Sequence, residues 1–246
     1  MTRPSDHPVR TNCAEPHRCP RDVRLRALAQ SRLTGMLEEE QHADLDTYLR
    51  AWSWAKGDPL VLAGQKNTGC YILVAGRVRI ERAVGDGKTA TVDIAVPGDI
   101  IGSLLEPVAE ESAWAMETTC ALHLPGDALS AVVHKYPAIS LAIMQLQEEK
   151  LALSRQLSLS QSAQTVQARV AGALIHLDEK LGQQRSDGSR LLQVRLRRED
   201  LAGLAGTTVE STSRALTKMK KQSLIDSGRE WIVVLDYEAL LKLAGA

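Results

Sequence analysis

The spacing of hydrophobic and polar positions changes repeatedly along this chain, and each change predicts a different element. Over 24–50, Leu25, Leu28, Leu33, Leu37, Leu45 and Leu49 recur at helical steps, which predicts one or two short helices. From 52 to 124 the apolar residues come in short β-type runs at 59–63, 70–74, 78–81, 89–95 and 114–124, broken by glycine at 57, 64, 69, 76, 85, 87, 98 and 102. Strands so short and so regularly interrupted predict an antiparallel roll or barrel rather than βαβ units. Gly85-Asp86-Gly87 supplies a hairpin turn, because Asp and Gly tolerate positive φ.

Beyond Pro137 the helical period returns. Ile139, Ile143, Leu146, Lys150, Leu153 and Leu157 alternate steps of four and three, an a/d seam with one charge in it. Such a helix either packs on its own domain or pairs with a second copy, and the Gln, Glu and Arg filling most other positions favour the pair. The run Ser158-Leu-Ser-Gln-Ser162 reads as a hinge, a second amphipathic helix spans about 163–181, and Gly182 opens a polar loop through Gly188. The last third reads as a helix over 198–205, a turn at Gly206 and a second helix from Thr207 to about Gln222. Leu224-Ile225, a turn at Ser227-Gly228 and a β run over 231–235 follow, which completes a helix-turn-helix with a wing. Four regions result: a cysteine-bearing segment with short helices (1–49), a β-roll (50–125), a dimerisation helix region (126–162) and a winged helix-turn-helix (163–246).

The length of 246 residues accommodates one large domain or two modest ones, and 44% hydrophobic with 24% charged residues is the composition of a folded chain. Phe is absent, so the core is aliphatic. Lys plus Arg and Asp plus Glu are each 30, so any affinity for nucleic acid must come from a local patch. Residues 195–229 supply one: eight Lys or Arg against four acids, a net of +4. The sequence has no membrane-length apolar run and no signal-type stretch, from which a cytoplasmic protein without a membrane partner is expected. Its four cysteines are then not a disulfide framework. Cys13 and Cys19 lie in a polar, Arg-rich, Pro-containing segment where packing gives a thiol little reason to be.

Glu210, Ser213 and Arg214 fall at i, i+3 and i+4, on one face of the first turns of the second helix of the motif. In a major groove, Arg donates twice to guanine, a carboxylate accepts from cytosine N4, and a Ser hydroxyl serves either partner. Thr208 and Lys218 are further expected DNA contacts, with Lys218, Lys220 and Lys221 on phosphate or solvent. Glu210 has a second reading, as the closing residue of a capping box over 207–210.

The glycine-punctuated roll, the long helix, LRREDLAGLAGTTVESTSRALTKMKKQSLI and the wing together resemble the CRP/FNR superfamily of bacterial transcription regulators, over roughly 37–246. VESTSR at 209–214 is similar to the V-E-x-x-S-R helix of its FNR branch (fumarate and nitrate reduction regulator). The resemblance implies an α+β fold: an N-terminal antiparallel β-roll of the cyclic-nucleotide-binding jelly-roll type, a long dimerisation helix and a C-terminal winged helix-turn-helix. It further implies a homodimer on double-stranded DNA, with Glu210, Ser213 and Arg214 reading TTGAT-type half-sites across a palindrome, and contact with RNA polymerase.

The resemblance also bears on the signal. The cyclic-nucleotide branch neutralises the phosphate with an Arg, but the matching stretch GDIIGSLLEPVAEESA (98–113) has none and carries Glu106, Glu110 and Glu111, so no cyclic nucleotide is expected. The FNR branch instead senses oxygen with an iron-sulfur cluster held by N-terminal cysteines and one late in the roll. Cys13, Cys19 and Cys120 match that set, although the branch's roll cysteine aligns ungapped with Leu122, and Cys70, His17 or an outside group would supply the fourth ligand. A 4Fe-4S cluster is the expected cofactor; zinc, a thiol switch, haem or an unrecognised ligand are the alternatives. Cys70 also reads as a buried core thiol, since it sits in a β run. A metalloenzyme of the cupin type needs several converging His, and the roll has only His123, so no enzymatic activity is expected.

Overall fold

The computed structural model describes residues 15–85, 87–103 and 106–245, except the side chains of 153 and 156–163. Its elements in chain order are β1 (Glu15–Pro16), α1 (Arg21–Gln30), α2 (Glu39–Leu45), β2 (Arg50–Trp54), β3 (Pro59–Val61), β4 (Gly69–Ala75), β5 (Val78–Gly85), β6 (Lys88–Ala95), β7 (Ile100–Gly102), β8 (Ser112–Ala115) and β9 (Thr119–Pro125). There follow α3 (Gly126–Lys135), α4 (Pro137–Ala163), α5 (Val166–Leu181), β10 (Gly182–Gln184), β11 (Arg190–Leu192), α6 (Arg198–Leu204), α7 (Val209–Lys221), β12 (Ile225–Ser227), β13 (Ile232–Val234) and α8 (Tyr237–Ala244). The chain divides into two compact units, one with residues up to Ile80 and Ala95–Met144, the other with Glu81–Ile94 and Gln145–Ala246. No helix among the described residues is long and apolar enough to cross a membrane.

The roll is antiparallel, as expected. Its sheets run β1-β2-β9-β4-β7 and β3-β8-β5-β6. Between them lies a core of Trp54, Leu60, Leu73, Val78, Ala95, Ile101, Ala113, Ala115 and Ala121, aliphatic but for one Trp. Gly85 and Gly87 both adopt positive φ at the turn between β5 and β6. The expected strand over 114–124 is two strands, β8 and β9, and α3 and α8 carry no signal that the periodicity reading registered.

Two further expectations are corrected. The serine-rich stretch 158–162 continues α4 and is not a hinge, since Ser costs a helix only a few tenths of a kcal/mol per residue. The break falls instead at Thr165, whose side chain caps α5 by accepting from the Ala168 N–H at 3.2 Å. The polar loop after Gly182 is a hairpin, β10 with β11, that joins the wing in a sheet of order β10-β11-β13-β12.

In the second unit α5 is the central helix, with Val170, Leu174 and Leu177 fully buried, and α6, α7 and α8 pack around it. The hairpin end 81–94 belongs to the same unit and is held against α6, where Thr91 Oγ1 donates to Asp200 Oδ1 at 3.0 Å. The contact needs a residue without a side chain: a Cβ on Gly203 of α6 would stand 2.5 Å from the Thr91 carbonyl oxygen and 2.6 Å from its nitrogen. Ala for Gly inside a helix normally stabilises by about 0.5–1 kcal/mol. Gly172→Ala in α5, where the Cβ meets nothing within 4 Å, is expected to show that gain. Gly203→Ala is expected to destabilise, because Thr91 has to move. Denaturant midpoints of the two variants should shift in opposite directions, and a shift of the same sign would refute the close contact.

Candidate functional site

The helix-turn-helix is built by local chemistry. Asp200 closes a capping box at the start of α6, accepting from the Arg197 backbone N–H at 2.8 Å. Gly206 then takes a left-handed φ of 57° to turn the chain. Thr208, not Thr207, is the N-cap of α7, and its hydroxyl accepts from the Ser211 N–H at 3.2 Å. That placement removes the capping-box reading of Glu210. It is not the third helical residue that a box requires, and its carboxylate meets the Arg214 guanidinium at 3.1 Å across one turn. Thr208 is thus engaged in the cap as well as standing at the exposed helix N-terminus.

On α7, Thr212, Ala215, Leu216 and Met219 are buried, which turns the opposite face outward. Glu210, Ser213, Arg214, Thr217, Lys218 and Lys221 line a shallow concavity on that face. The side chains of Glu210 and Arg214 are 79% and 71% exposed, so the pair is free to exchange its mutual contact for base edges. Lys220 is differently placed: it donates to the Ser227 carbonyl at 2.6 Å and pairs with Asp226 at 3.1 Å, which fastens the helix to the wing strand β12.

In the first unit the two-residue strand β1 brings the N-terminal segment onto the roll. Glu15 stands opposite Ser53 of β2, and Ser53 stands opposite Cys120 of β9. The His17 N–H donates to the Ala51 carbonyl at 3.1 Å. The Arg24 guanidinium donates to the Cys19 carbonyl at 2.6 Å and to both carboxylate oxygens of Asp46, which it pairs with at 2.6 Å. Among the described residues this gathers one group of potential metal ligands, His17, Cys19 and Cys120, whose donor atoms all lie within 4.8 Å of one another. Both thiols are buried and the imidazole is exposed. Burial first, and then the neighbouring Cys19, push the Cys120 thiol up to about 12.

Cys70 does not join this group. It pairs with Leu124 on β9, four residues from Cys120 and so about 13 Å away at ~3.3 Å per residue. It is fully buried, and burial pushes its thiol up to about 12, the state of a core residue. His17, the other candidate offered beside Cys70, stands in the group. Cys13 lies outside the described residues.

The spacing of the three donors tests the expected cofactor. Metal–sulfur and metal–nitrogen bonds of about 2.3 and 2.0 Å put the ligands of one tetrahedral ion about 3.5 to 3.8 Å apart. A four-iron cubane takes each thiolate on a different iron, which separates its ligand atoms by about 6 Å. What stands together among the described residues is two thiols and one imidazole within 4.8 Å of one another, a donor set that suits one tetrahedral ion better than the four thiolates of a cubane.

The helix seam is also rearranged. Ile139 is wholly buried in its own unit, Ile143 and Leu146 are half-buried, and Lys150 is exposed. The side chains of Leu153 and Leu157 lie outside the described residues. Among the described residues, the large apolar side chains that α4 exposes are Leu141, Met144 and Leu151, which at 100° per residue point away from Ile139. The a/d spacing at the start of α4 thus includes Ile139 on the side of the helix that its own unit covers.

A β-roll unit and a winged helix-turn-helix with an outward-facing basic reading helix define a DNA-binding transcription regulator of the sensor-plus-reader class. Residues 51–136 match the cyclic nucleotide-binding domain model and 168–243 the Crp-like helix-turn-helix domain model. The nitrogen fixation regulation protein FixK of Rhizobium meliloti is 30% identical over 177 residues, 70% of this chain and 76% of FixK. The fumarate and nitrate reduction regulatory protein of Yersinia pestis is 26% identical over 212 residues, 85% of this chain and 84% of that one. The solved structure of FixK2 from Bradyrhizobium japonicum superimposes with a TM-score of 0.71 at 22% identity, covering 80% of this chain and 98% of that one. The chain belongs to the CRP/FNR family of transcription regulators. Its relatives are regulators rather than enzymes.

Proposed function

We propose that this protein acts as a homodimer on palindromes of TTGAT-like half-sites and that oxygen or another oxidant, acting at the cysteine group, sets its affinity for DNA. The observation that carries the reading is the exposed Glu210, Ser213, Arg214 face, held outward by a buried opposite face on α7. Arg214 supplies the two donors that suit guanine, Glu210 an acceptor for cytosine N4, and Lys218 with Lys221 a charge for phosphate. Dimerisation is assigned to the exposed Leu141, Met144 and Leu151 of α4 rather than to the buried Ile139. RNA polymerase is the further partner that a regulator of this kind addresses. The arginine-free stretch 98–113 with its Glu106, Glu110 and Glu111 disfavours a cyclic nucleotide phosphate, whatever the ancestry of the roll.

The resemblance assigns the sensor a 4Fe-4S cluster, which takes four thiolates, but only two thiols and an imidazole stand together among the described residues, so no step is drawn through one. Cys19 stands between β1 and α1 and Cys120 in β9, so a group bound to both would tie the N-terminal segment to the roll. Oxidation of the two thiols to a disulfide, with dioxygen reduced to hydrogen peroxide, would release the bound group and change how the segment is held.

The test is gel-shift titration of anaerobically prepared protein on the palindrome and on a single half-site, before and after air, with sedimentation to read the oligomer. The palindrome should bind a dimer, and air should weaken it. Cys13→Ser, Cys19→Ser and Cys120→Ser should each abolish the air response, and Cys70→Ser should keep it. A full air response in the Cys19 and Cys120 variants would place the sensor elsewhere.

A further inference from the structure

We propose that His17, Cys19 and Cys120 form a mononuclear site for one tetrahedral divalent ion of the zinc class. Its regulatory meaning rests on the sensor reading above; the coordination itself does not. Two thiols and one imidazole are the donor set that zinc and its surrogates take with three protein ligands, leaving a fourth position open. Here that position falls to water.

The donors are held before any ion arrives, each by a different device. The backbone of His17 is bonded to β2 through Ala51, the Cys19 carbonyl is clamped by an Arg24 that Asp46 fixes in turn, and Cys120 sits in β9 between β2 and β4. Ligands fixed by such outer partners need little further ordering on binding, which raises affinity. The donors lie within 4.8 Å of one another, and closing them by about 1 Å through side-chain rotation brings the three onto one ion. Binding exchanges the two thiol protons for the cation: a divalent ion, two thiols and a neutral imidazole give a dithiolate–imidazole complex of zero net charge and two protons released to solvent. Neutrality suits a site whose two sulfurs are buried.

The whole chain, purified without oxygen, should contain no acid-labile sulfide. After chelator treatment it should take up cobalt(II) to one ion per chain, with a thiolate-to-cobalt band and the strong visible absorption of tetrahedral cobalt. Cys19→Ser and Cys120→Ser should lose the thiolate band, and Cys70→Ser should retain it. His17→Asn should keep the band while weakening zinc retention against a competing chelator at least about tenfold. Acid-labile sulfide with several irons per chain would overturn the single-ion site and leave the oxygen-sensor reading standing. Failure to saturate with cobalt at one per chain would overturn the site outright. One ion bound as stated, with DNA affinity indifferent to its removal, would uphold the site and dismiss the sensor reading.

Discussion

Arg214→Ala is expected to weaken binding to a palindromic operator by roughly 2 to 6 kcal/mol, about 1 to 3 at each of two half-sites, or some 30-fold to 10⁴-fold in affinity. The loss is expected without a loss of fold. Arg214 is 71% exposed and its partner Glu210 is 79% exposed, and a pair of that kind contributes well under 1 kcal/mol to stability. Because the contact is to a base edge, selectivity should relax at the guanine of the half-site while the dependence on salt stays nearly the same. Lys218→Ala should do the reverse, lowering affinity evenly across sequences and reducing the salt slope by about one for each phosphate that the lysine neutralises. Binding titrations against operators substituted at each position, at several salt concentrations, separate the two. An Arg214→Ala protein that still discriminates its guanine would refute the assignment.

Asp200→Ala is expected to cost about 3 kcal/mol of stability in the second unit. Asp200 is fully buried and accepts from the Arg197 N–H at 2.8 Å, the Arg197 guanidinium at 2.7 Å and the Thr91 hydroxyl at 3.0 Å. Truncation strands the buried Thr91 hydroxyl and removes the cap from α6, whereas the half-exposed Arg197 guanidinium rehydrates; the cost therefore sits at the lower end for breaking a buried charged network. Asp200→Asn retains an acceptor for the cap and should lose less. The effect on DNA binding should follow the melting of the helix-turn-helix, unlike that of Arg214→Ala. Denaturant unfolding of the Asp200→Ala protein within 1 kcal/mol of the parent would refute the role given to this carboxylate.

The parts of this molecule that were legible in the sequence are those set by near neighbours. A capping acid, a turn glycine and a reading face spaced i, i+3, i+4 all lie within about one turn of each other, so helix geometry alone brings them together. The glycine-broken β runs were legible as a roll for the same reason. The hairpin after Gly182 was not, because its short strands, Gly182–Gln184 and Arg190–Leu192, owe their existence to pairing with a strand forty residues further on.

By itself, then, the sequence determined the reader: its helices, its exposed face and the family those residues share. Which thiols meet was decided only by the tertiary structure. The register of β4 against β9 sets Cys70 far from Cys120, and the pairing of β1 with β2 lays His17 and Cys19 beside Cys120, about a hundred residues away in the chain. Which face of α4 its own unit covers was decided in the same way. Period alone places Ile139 on the apolar seam of the helix, and only packing shows it buried by its own unit while Leu141, Met144 and Leu151 are exposed. Both outcomes depend on packing between residues distant in sequence, where spacing along the chain carries no information about distance in space.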